Sequence, residues 1–373
     1  MKTIVTGAFL TLFVAAVWAQ RAGGGQIGEK IEATPTAAAI EKGAKWLVSV
    51  QGADGGWGQD GGETSYVRTG ERLESSGNDV ANTAVATLAL LQAGKKYQPN
   101  VDRALNFILK NVETSSADGL QITDRKGTQI QRKLGPYIDT FLTSMLLAQV
   151  DGTLSKELNA RVRRALEKCV AKIERNQQKD GSWNIAGGWA PILGTSMASR
   201  SLFEAAQKGV KTEDVVMRRA EDYTVMALSA PAVGAGAGVG AGFGGGVAGG
   251  SLSAAAGVPL YQKAQALEQL SRTEADRQKN AGEIKKIQAD LVDARFVEGF
   301  GSIGGEEFFS YLNVSDGLQR GGGAQWKQWH SQIVQKILNL QNSDGTWAGH
   351  HCITGRVAVT SAAILNLKFE HAN

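Results

Sequence analysis

The densest group of reactive side chains lies near the carboxyl end, at residues 349–356, which read Gly-His-His-Cys-Ile-Thr-Gly-Arg. This short loop contains two of the four histidines in the chain. Imidazole and thiolate groups are good zinc ligands, and an aspartate from across a cavity could complete such a site. Zinc is therefore a candidate cofactor, with His350, His351 and Cys352 as candidate ligands. Two alternatives stay open: a Cys/His nucleophile pair, and a loop that only packs and hydrogen-bonds.

A second group of polar side chains recurs at the predicted starts of apolar helices. When these helices are aligned by the hydroxyl residues Thr83, Thr143, Ser199 and Thr360, four residues coincide one turn upstream: Asp79, Asp139, Thr195 and Arg356. An aspartate at a helix start is also a common cap, so capping is the alternative for both acids. An arginine at a helix start is unfavourable by the same dipole argument, so Arg356 requires an anionic partner such as Asp79, Asp139 or a bound acid.

From these two groups we select candidate site residues around a predicted central opening. The candidate catalytic residues are Asp79, Asp139, His351 and Arg356. The candidate ligand-cavity residues are Thr83, Thr143, Thr195, Thr354 and Thr360.

An internal repeat must position these side chains. Three segments carry Gln, Asp, Gly and Trp at positions i, i+3, i+4 and i+6. They are Gln51, Asp54, Gly55 and Trp57; Gln177, Asp180, Gly181 and Trp183; and Gln341, Asp344, Gly345 and Trp347. A weaker copy, Asp118-Gly119, lies between the first two, which gives a period of about 60 residues. Asp-Gly supplies the chemistry of a tight turn, and the tryptophan can pack across the junction between helix pairs.

Each repeat joins two helices of different character. An amphipathic helix precedes the turn, as at 37–50 and 101–112, and a more apolar helix rich in small residues follows it, as at 80–91 and 357–367. A helix that is apolar on most faces is a buried one. The pattern predicts an all-α fold in which outer amphipathic helices surround inner apolar helices in a closed double ring.

Residues 42–57, Lys-Gly-Ala-Lys-Trp-Leu-Val-Ser-Val-Gln-Gly-Ala-Asp-Gly-Gly-Trp, resemble the QW repeat of squalene and hopene cyclases. The β subunits of protein prenyltransferases carry related repeats. The resemblance covers most of 37–209 and 326–369, and it implies an α/α toroid with a cavity where the inner helices begin. The acidic Asp-x-Asp-Asp motif of class II terpene cyclases is absent, and Tyr137-Ile-Asp139-Thr140 is at best a fragment of it.

The predicted ring occupies 37–222 and 299–369 and is interrupted between them. Residues 223–257 are rich in Gly and Ala, with ten glycines in 232–250, and predict a flexible surface loop. The alternative is a glycine-zipper hairpin that packs in lipid or self-associates. Residues 258–298 predict one long charged helix, which either docks a protein partner or a second copy of the chain, or folds back on its own domain.

The amino-terminal segment predicts export. Residues 1–19 have a basic start, an apolar stretch and small residues before a cleavage point ahead of Gln20, so we interpret them as a signal peptide and 20–36 as a linker. The expected location is secreted, periplasmic or at the cell envelope. The formal charge of +4 is spread along the chain, which argues against nucleic-acid binding. Cys169 and Cys352 are the only cysteines and could pair once.

Two classes of function fit this sequence. In the first, the cavity binds a ligand, peptide or glycan. In the second, the cavity is the active site of a hydrolase, a lyase or a cyclase-like enzyme, built from the acids, the His-His-Cys loop and Arg356.

Overall fold

The computed structural model describes residues 34–60, 67–68, 71–72, 77–183, 185, 191–229, 251–298 and 303–369. In these ranges the chain is almost entirely helical, as the sequence predicts. In chain order the α-helices are α1 (Pro35–Ser49), α2 (Val80–Ala93), α3 (Gln98–Thr114), α4 (Gln129–Leu134), α5 (Ile138–Val150), α6 (Lys156–Arg175), α7 (Pro191–Gln207), α8 (Asp214–Ser229), α9 (Ser251–Leu270), α10 (Glu274–Lys279), α11 (Ala281–Asp290), α12 (Ala294–Val297), α13 (Gly305–Gly321), α14 (Gly323–Asn339) and α15 (Arg356–Lys368). A 3-10 turn spans Lys95–Tyr97, and the short strands β1 (Val67–Arg68) and β2 (Glu71–Arg72) pair antiparallel.

Six helices form an inner ring, in the order α2, α5, α7, α9, α13 and α15. Each contacts the next, and α15 returns to pack against α2, so the ring closes. The inner helices are buried on nearly all sides: every residue of α2 from Val80 to Leu90 is buried. The outer helices α1, α3, α6, α8 and α14 bury one face only, since polar residues occupy their other faces. The predicted α/α toroid is confirmed.

The three repeat corners share one set of hydrogen bonds. At each corner the Gln side-chain nitrogen donates to the carbonyl of the corner glycine and to a carbonyl of the next outer helix along the ring. The indole Nε1 of each Trp donates to a carbonyl of the preceding outer helix at 2.7 Å. Gln341 reaches Ala39 in the first repeat at 2.9 Å, and this bond helps to close the ring. The repeat residues are therefore structural corner residues.

The prediction for 258–298 is wrong in two respects. Four helices lie in this segment rather than one, and α9 is a member of the inner ring instead of an insertion outside it. The apolar positions Leu260, Ala264 and Leu267 are fully buried, with α7, α8 and α13 as neighbours of α9. Ile287 on α11 is also buried, so this part of the segment folds back on its own domain. Docking of a partner or a second copy through 258–298 stays a prediction.

The Gly/Ala-rich segment is shorter than predicted at both ends. Helix α8 continues to Ser229 and α9 begins at Ser251, and the two helices pack against each other. The loop and hairpin interpretations concern 230–250, which lie outside the described residues, as do the signal peptide and most of the linker. Among the described helices, none combines the length and the apolar character that a membrane span needs.

Candidate functional site

The hydroxyl residues of the inner helices hold the corners. Thr83, Thr195 and Thr360 each accept the backbone N–H of a corner tryptophan, at 2.9, 3.3 and 2.9 Å. Thr195 is thus the counterpart of Thr83, whereas the sequence alignment placed Ser199 there. The alignment in the second repeat is also wrong, by three residues. The hydroxyl that contacts the weaker corner at Asp118-Gly119 belongs to Thr140 and not to Thr143, and it donates to the Leu120 carbonyl at 2.6 Å. These threonines act on the backbone of their own chain.

Asp79 and Asp139 form a buried carboxyl pair at the starts of two neighbouring inner helices. Asp79 caps α2 by accepting the Asn82 N–H at 2.8 Å, which confirms the capping interpretation for this residue. Asp139 lies in the first turn of α5 and accepts the Ala81 N–H of α2 at 3.0 Å. Its other oxygen accepts from Gln131 at 2.7 Å. The pair therefore ties α5 to α2.

Burial changes the protonation of this pair. Burial raises the pKa of Asp79 from 3.8 to about 6, although hydrogen bonds from Asn82 and the charge of Arg125 oppose the rise. The pKa of Asp139 is raised to about 7, mainly by burial and to a smaller extent by the negative charge of Asp79. Two neighbouring buried carboxyls disfavour double ionisation, so the pair retains a proton near neutral pH.

A cavity of about 430 Å3 opens beside Asp139, at the end of the ring where α5 begins. Three cationic side chains, from Arg125, Lys126 and Arg132, line it. Its remaining lining residues are Gln121, Ile122, Thr123, Gly127, Gln131, Pro136, Tyr137, Asp139 and Thr140. The cavity thus brings cations together with a carboxyl group that is partly protonated at neutral pH. Of the candidate catalytic residues, Asp139 alone is among its lining residues.

Arg356 has an anionic partner, as its position required, but a different one from those proposed. Its Nε donates to Asp60 at 3.0 Å, and its NH1 donates to Asp344 at 3.2 Å. The guanidinium also lies over the ring of Trp46, 5.0 Å from its centroid. Asp60 additionally accepts the backbone N–H of Arg356 at 2.8 Å, in the manner of a helix cap. Arg356 therefore joins the last repeat to the first, and it contacts neither Asp79 nor Asp139.

The His-His-Cys loop meets the start of α13. One ligand atom each from Glu306, His351 and Cys352 lies within 4.8 Å of the others. His350 is exposed and holds its place through a backbone N–H bond to the Ile303 carbonyl at 2.8 Å. The structure thus brings together two of the three predicted ligands, with a glutamate instead of an aspartate as the acid. The sequence signal for it was the Glu-Glu pair that opens α13.

The neighbouring carboxyl group of Glu307 affects the protonation of Glu306 and is itself held by two hydrogen bonds. Burial and the charge of the adjacent Glu307 raise the pKa of Glu306 to about 7. Glu307 accepts hydrogen bonds from Gly304 N–H at 2.8 Å and from the Tyr261 hydroxyl at 3.1 Å. Thr354, a predicted cavity residue, is buried and bonded to Gln129 of α4 at 2.9 Å.

Neither cysteine is in a disulfide. Cys169 is fully buried on α6, and Cys352 is half-buried in its loop. Burial raises the pKa of the Cys169 thiol to about 12, so this thiol stays protonated and packs as a small apolar side chain.

The sequence analysis did not find a charged network between the inner helices α7, α9 and α13. Glu268, which is fully buried, pairs with Arg272 at 2.6 Å and with Arg320 at 3.3 Å. Asp316 pairs with both Arg320 and Arg200. Burial alone would raise the pKa of Glu268, but the neighbouring guanidinium groups lower it well below its usual value. A cavity of about 280 Å3 adjoins this network, lined by Leu88, Gln92, Met145, Gln149, Arg200, Glu204, Leu312, Gln319, Leu365, Lys368 and Phe369.

Comparisons with known proteins agree with this architecture. Residues 25–125 match the family model of the squalene-hopene cyclase C-terminal domain. A probable squalene–hopene cyclase of Sinorhizobium fredii is 40% identical over 77 residues, which is 21% of this chain and 11% of that protein. The squalene–hopene cyclase of Bradyrhizobium diazoefficiens is 39% identical over 70 residues, 19% of this chain and 10% of that protein. The matches therefore cover about a tenth of the length of these relatives.

At the level of fold the likeness extends further. A type II terpene cyclase, MstE from Scytonema, solved with geranylgeranyl dihydroxybenzoate, superposes with a TM-score of 0.50 and 11% identity over 90% of this chain and 97% of that one. The resemblance inferred from the repeats is confirmed: the chain is terpenoid-cyclase-like, with the ring fold of these proteins and a squalene-hopene cyclase sequence match over residues 25–125.

Proposed function

We propose that this chain is an exported, squalene-cyclase-like ring that binds an acidic ligand, such as an acidic peptide or glycan, in the cavity beside Asp139. The observation that carries the proposal is the lining of the cavity by Arg125, Lys126 and Arg132. Arginine matches the planar geometry of carboxylate and phosphate groups, which favours ligands with these groups.

The rest of the cavity fits the same ligand class. A volume of about 430 Å3 falls within the usual range of small-molecule sites, about 300–1,000 Å3. Ile122, Pro136 and Tyr137 offer apolar surface to a sugar ring or an amino-acid side chain. When Asp139 is protonated, it can donate a hydrogen bond without repelling an anion.

Calorimetric titration tests this proposal with two series of matched probes. The first pairs a glucuronate-terminated disaccharide with the corresponding glucose-terminated one, and the second pairs dipeptides that end in a carboxylate with the same dipeptides that end in an amide. We expect the acidic member of at least one series to bind at least ten times more tightly than its neutral match. Arg125→Gln and Arg132→Gln should each weaken that binding about ten-fold, since each removes one charge-assisted contact. The matched control is Arg295→Gln, whose side chain is 90% exposed and does not line the cavity.

Equal binding of acidic and neutral probes, or no binding at all, would refute the acidic-ligand proposal. Loss of binding in Arg295→Gln to the same extent as in Arg125→Gln would place the contacts elsewhere on the surface.

A second function, acid catalysis, is favoured by one specific observation. Asp139 lines the cavity, and its pKa of about 7 leaves much of this carboxyl protonated at neutral pH, which suits a general acid. Such an acid could transfer its proton to an alkene carbon or to the oxygen of a leaving group. The relatives are named as cyclases, so squalene and geranylgeranyl dihydroxybenzoate are the first substrates to test.

Asp139→Asn separates the two functions. If the chain is an enzyme, mass spectrometry detects a product with the wild-type protein, and the substitution abolishes it while acidic ligands still bind. If the chain only binds, neither protein forms a product.

Export is tested by the mass of the mature protein, which should begin at Gln20 after expression in a host with a secretion pathway.

A further inference from the structure

We propose that Glu306, His351 and Cys352 form a metal site for a zinc-class cation, at the junction of the His-His-Cys loop and the start of α13. None of the three residues lines the cavity beside Asp139, so the site is independent of the proposed ligand binding.

The spacing of the three ligand atoms is close to what zinc requires. They lie within 4.8 Å of one another. In a tetrahedral zinc site with bond lengths of 2.0–2.3 Å, ligand atoms lie roughly 3.5 Å apart. A contraction of about 1 Å brings them to that distance. His351 and Cys352 are only half-buried in a loop, so small changes of side-chain torsion supply this movement.

Glu306 points independently to a ligand. Its side chain is fully buried, and Oε2 accepts the Ile353 N–H at 3.2 Å. Oε1 is shielded from solvent without a hydrogen-bond partner in the described part of the chain, and the Cys352 thiol hydrogen-bonds to the same carboxyl group. A buried carboxylate oxygen without a partner is costly, and a bound cation would compensate it.

The backbone around the cluster is specialised. Cys352 has a φ of +58°, and among the described residues it is the only one besides glycines with a positive φ. Strain of this kind persists where surrounding contacts fix a side chain for a purpose. A Cβ on Gly304 would lie 2.7 Å from His351 Nδ1 and 2.9 Å from Glu307 Oε2, so the imidazole and this carboxylate both crowd the same backbone position. Glu307 is therefore placed to orient the ring of His351 as a positioning residue.

The donor set selects the class of metal. One thiolate, one imidazole and one carboxylate favour zinc or a similar transition metal over Mg2+ or Ca2+, which prefer oxygen ligands. Three protein ligands leave the fourth tetrahedral position for water or a substrate, as in catalytic zinc sites. Binding converts the Cys352 thiol to a thiolate and releases its proton to solvent.

Cobalt titration of the full chain, without an affinity tag, tests the site. We expect one Co2+ per chain, with the intense near-ultraviolet absorption of a cobalt–thiolate bond, and displacement of Co2+ by one equivalent of Zn2+. Cys352→Ser should remove the thiolate absorption. His351→Gln should weaken binding at least ten-fold, and Glu307→Gln should weaken it about ten-fold as expected of a residue that orients a metal-bound histidine.

His350→Gln is the matched control, since the neighbouring histidine lies outside the cluster and should leave the titration unchanged. Far-ultraviolet circular dichroism checks that each variant is folded. Binding without thiolate absorption, or equal losses in His350→Gln and His351→Gln, overturns the proposal. No stoichiometric binding to the folded wild-type chain also overturns it, whatever the result of the acidic-ligand titration.

Discussion

The buried carboxyl pair makes the stability of the ring depend on pH in a direction that can be worked out from the structure. Burial and the charge of Asp79 raise the pKa of Asp139 from 3.8 to about 7. The folded chain therefore holds a proton that the unfolded chain releases. Its contribution to stability is complete below about pH 4 and is lost as pH rises from about 4 to about 7. A difference of about three pKa units corresponds to a loss of roughly 4 kcal/mol.

Asp139→Asn isolates this contribution. Asparagine keeps an oxygen for the Ala81 N–H but turns an N–H2 group toward Gln131, which costs about 1 kcal/mol at every pH. We expect the variant to be about 1 kcal/mol less stable than the wild type at pH 4. At pH 8 we expect it to be roughly 3 kcal/mol more stable, because it no longer ionises.

Urea unfolding followed by circular dichroism at pH 4, 5, 6, 7 and 8 measures this difference. Other buried acids such as Glu306 change the absolute stability with pH, so the quantity to compare is the wild type minus the variant at each pH. Asp118→Asn is the matched control, because that side chain is 96% exposed. If the difference between the wild type and Asp139→Asn does not change from pH 4 to pH 8, the pKa of Asp139 is the same in the folded and the unfolded chain, and burial does not raise it.

Two further predictions concern the corners and the charged network. Gly345→Ala should lower the unfolding free energy by about 3 kcal/mol, because φ is +88° and the new Cβ would lie 2.8 Å from Cβ of Lys42. Gly209→Ala, at φ +74° with nothing within 4 Å of the new Cβ, should lower the unfolding free energy by about 1 kcal/mol. Equal losses in the two variants would show that close packing at Gly345 does not matter. Glu268→Gln should cost about 3–5 kcal/mol in urea unfolding, since it removes the acidic partner of the buried Arg272 guanidinium and leaves Arg320 with Asp316 alone. Glu274→Gln, at an exposed pair, should have no measurable effect, and a similar effect in both would contradict the role of burial.

The corners could be predicted from sequence because their geometry is local. Within seven residues, each corner contains the glycine at positive φ, the aspartate that accepts the backbone N–H two residues on, and the glutamine that closes the turn. The tryptophan bond to the preceding helix spans only ten residues. A pattern this short is fully visible in one sequence, and it was sufficient to predict the closed ring.

The register of the inner helices relative to the corners could not be predicted, because loops of different length separate each corner from the inner helix that follows it. Trp57 and Thr83 are 26 residues apart, whereas the two other pairs are separated by 12 and 13 residues. Without a constant loop, alignment by hydroxyl residues shifted Thr143 and Ser199 away from the true contacts. Asp79 and Asp139 were still placed correctly at the starts of inner helices.

Helix α9 was missed for a different reason. Its first turns are rich in Ser, Ala and Gly, and Pro259 lies inside the helix, so local propensity does not indicate an inner helix there. Contacts with α7 and α13 stabilise it instead. Glu306 escaped notice in the same way, because its proximity to Cys352 depends on where α13 and the last corner meet.

The proposed function requires that the cavity beside Asp139 binds an acidic ligand. It is tested most directly by a crystal structure of the protein soaked with the glucuronate-terminated disaccharide. We expect electron density for the uronate within hydrogen-bonding distance of Arg125 or Arg132, with the sugar ring near Tyr137. Density for the probe only at another site, or an empty cavity at saturating probe concentration, would contradict it.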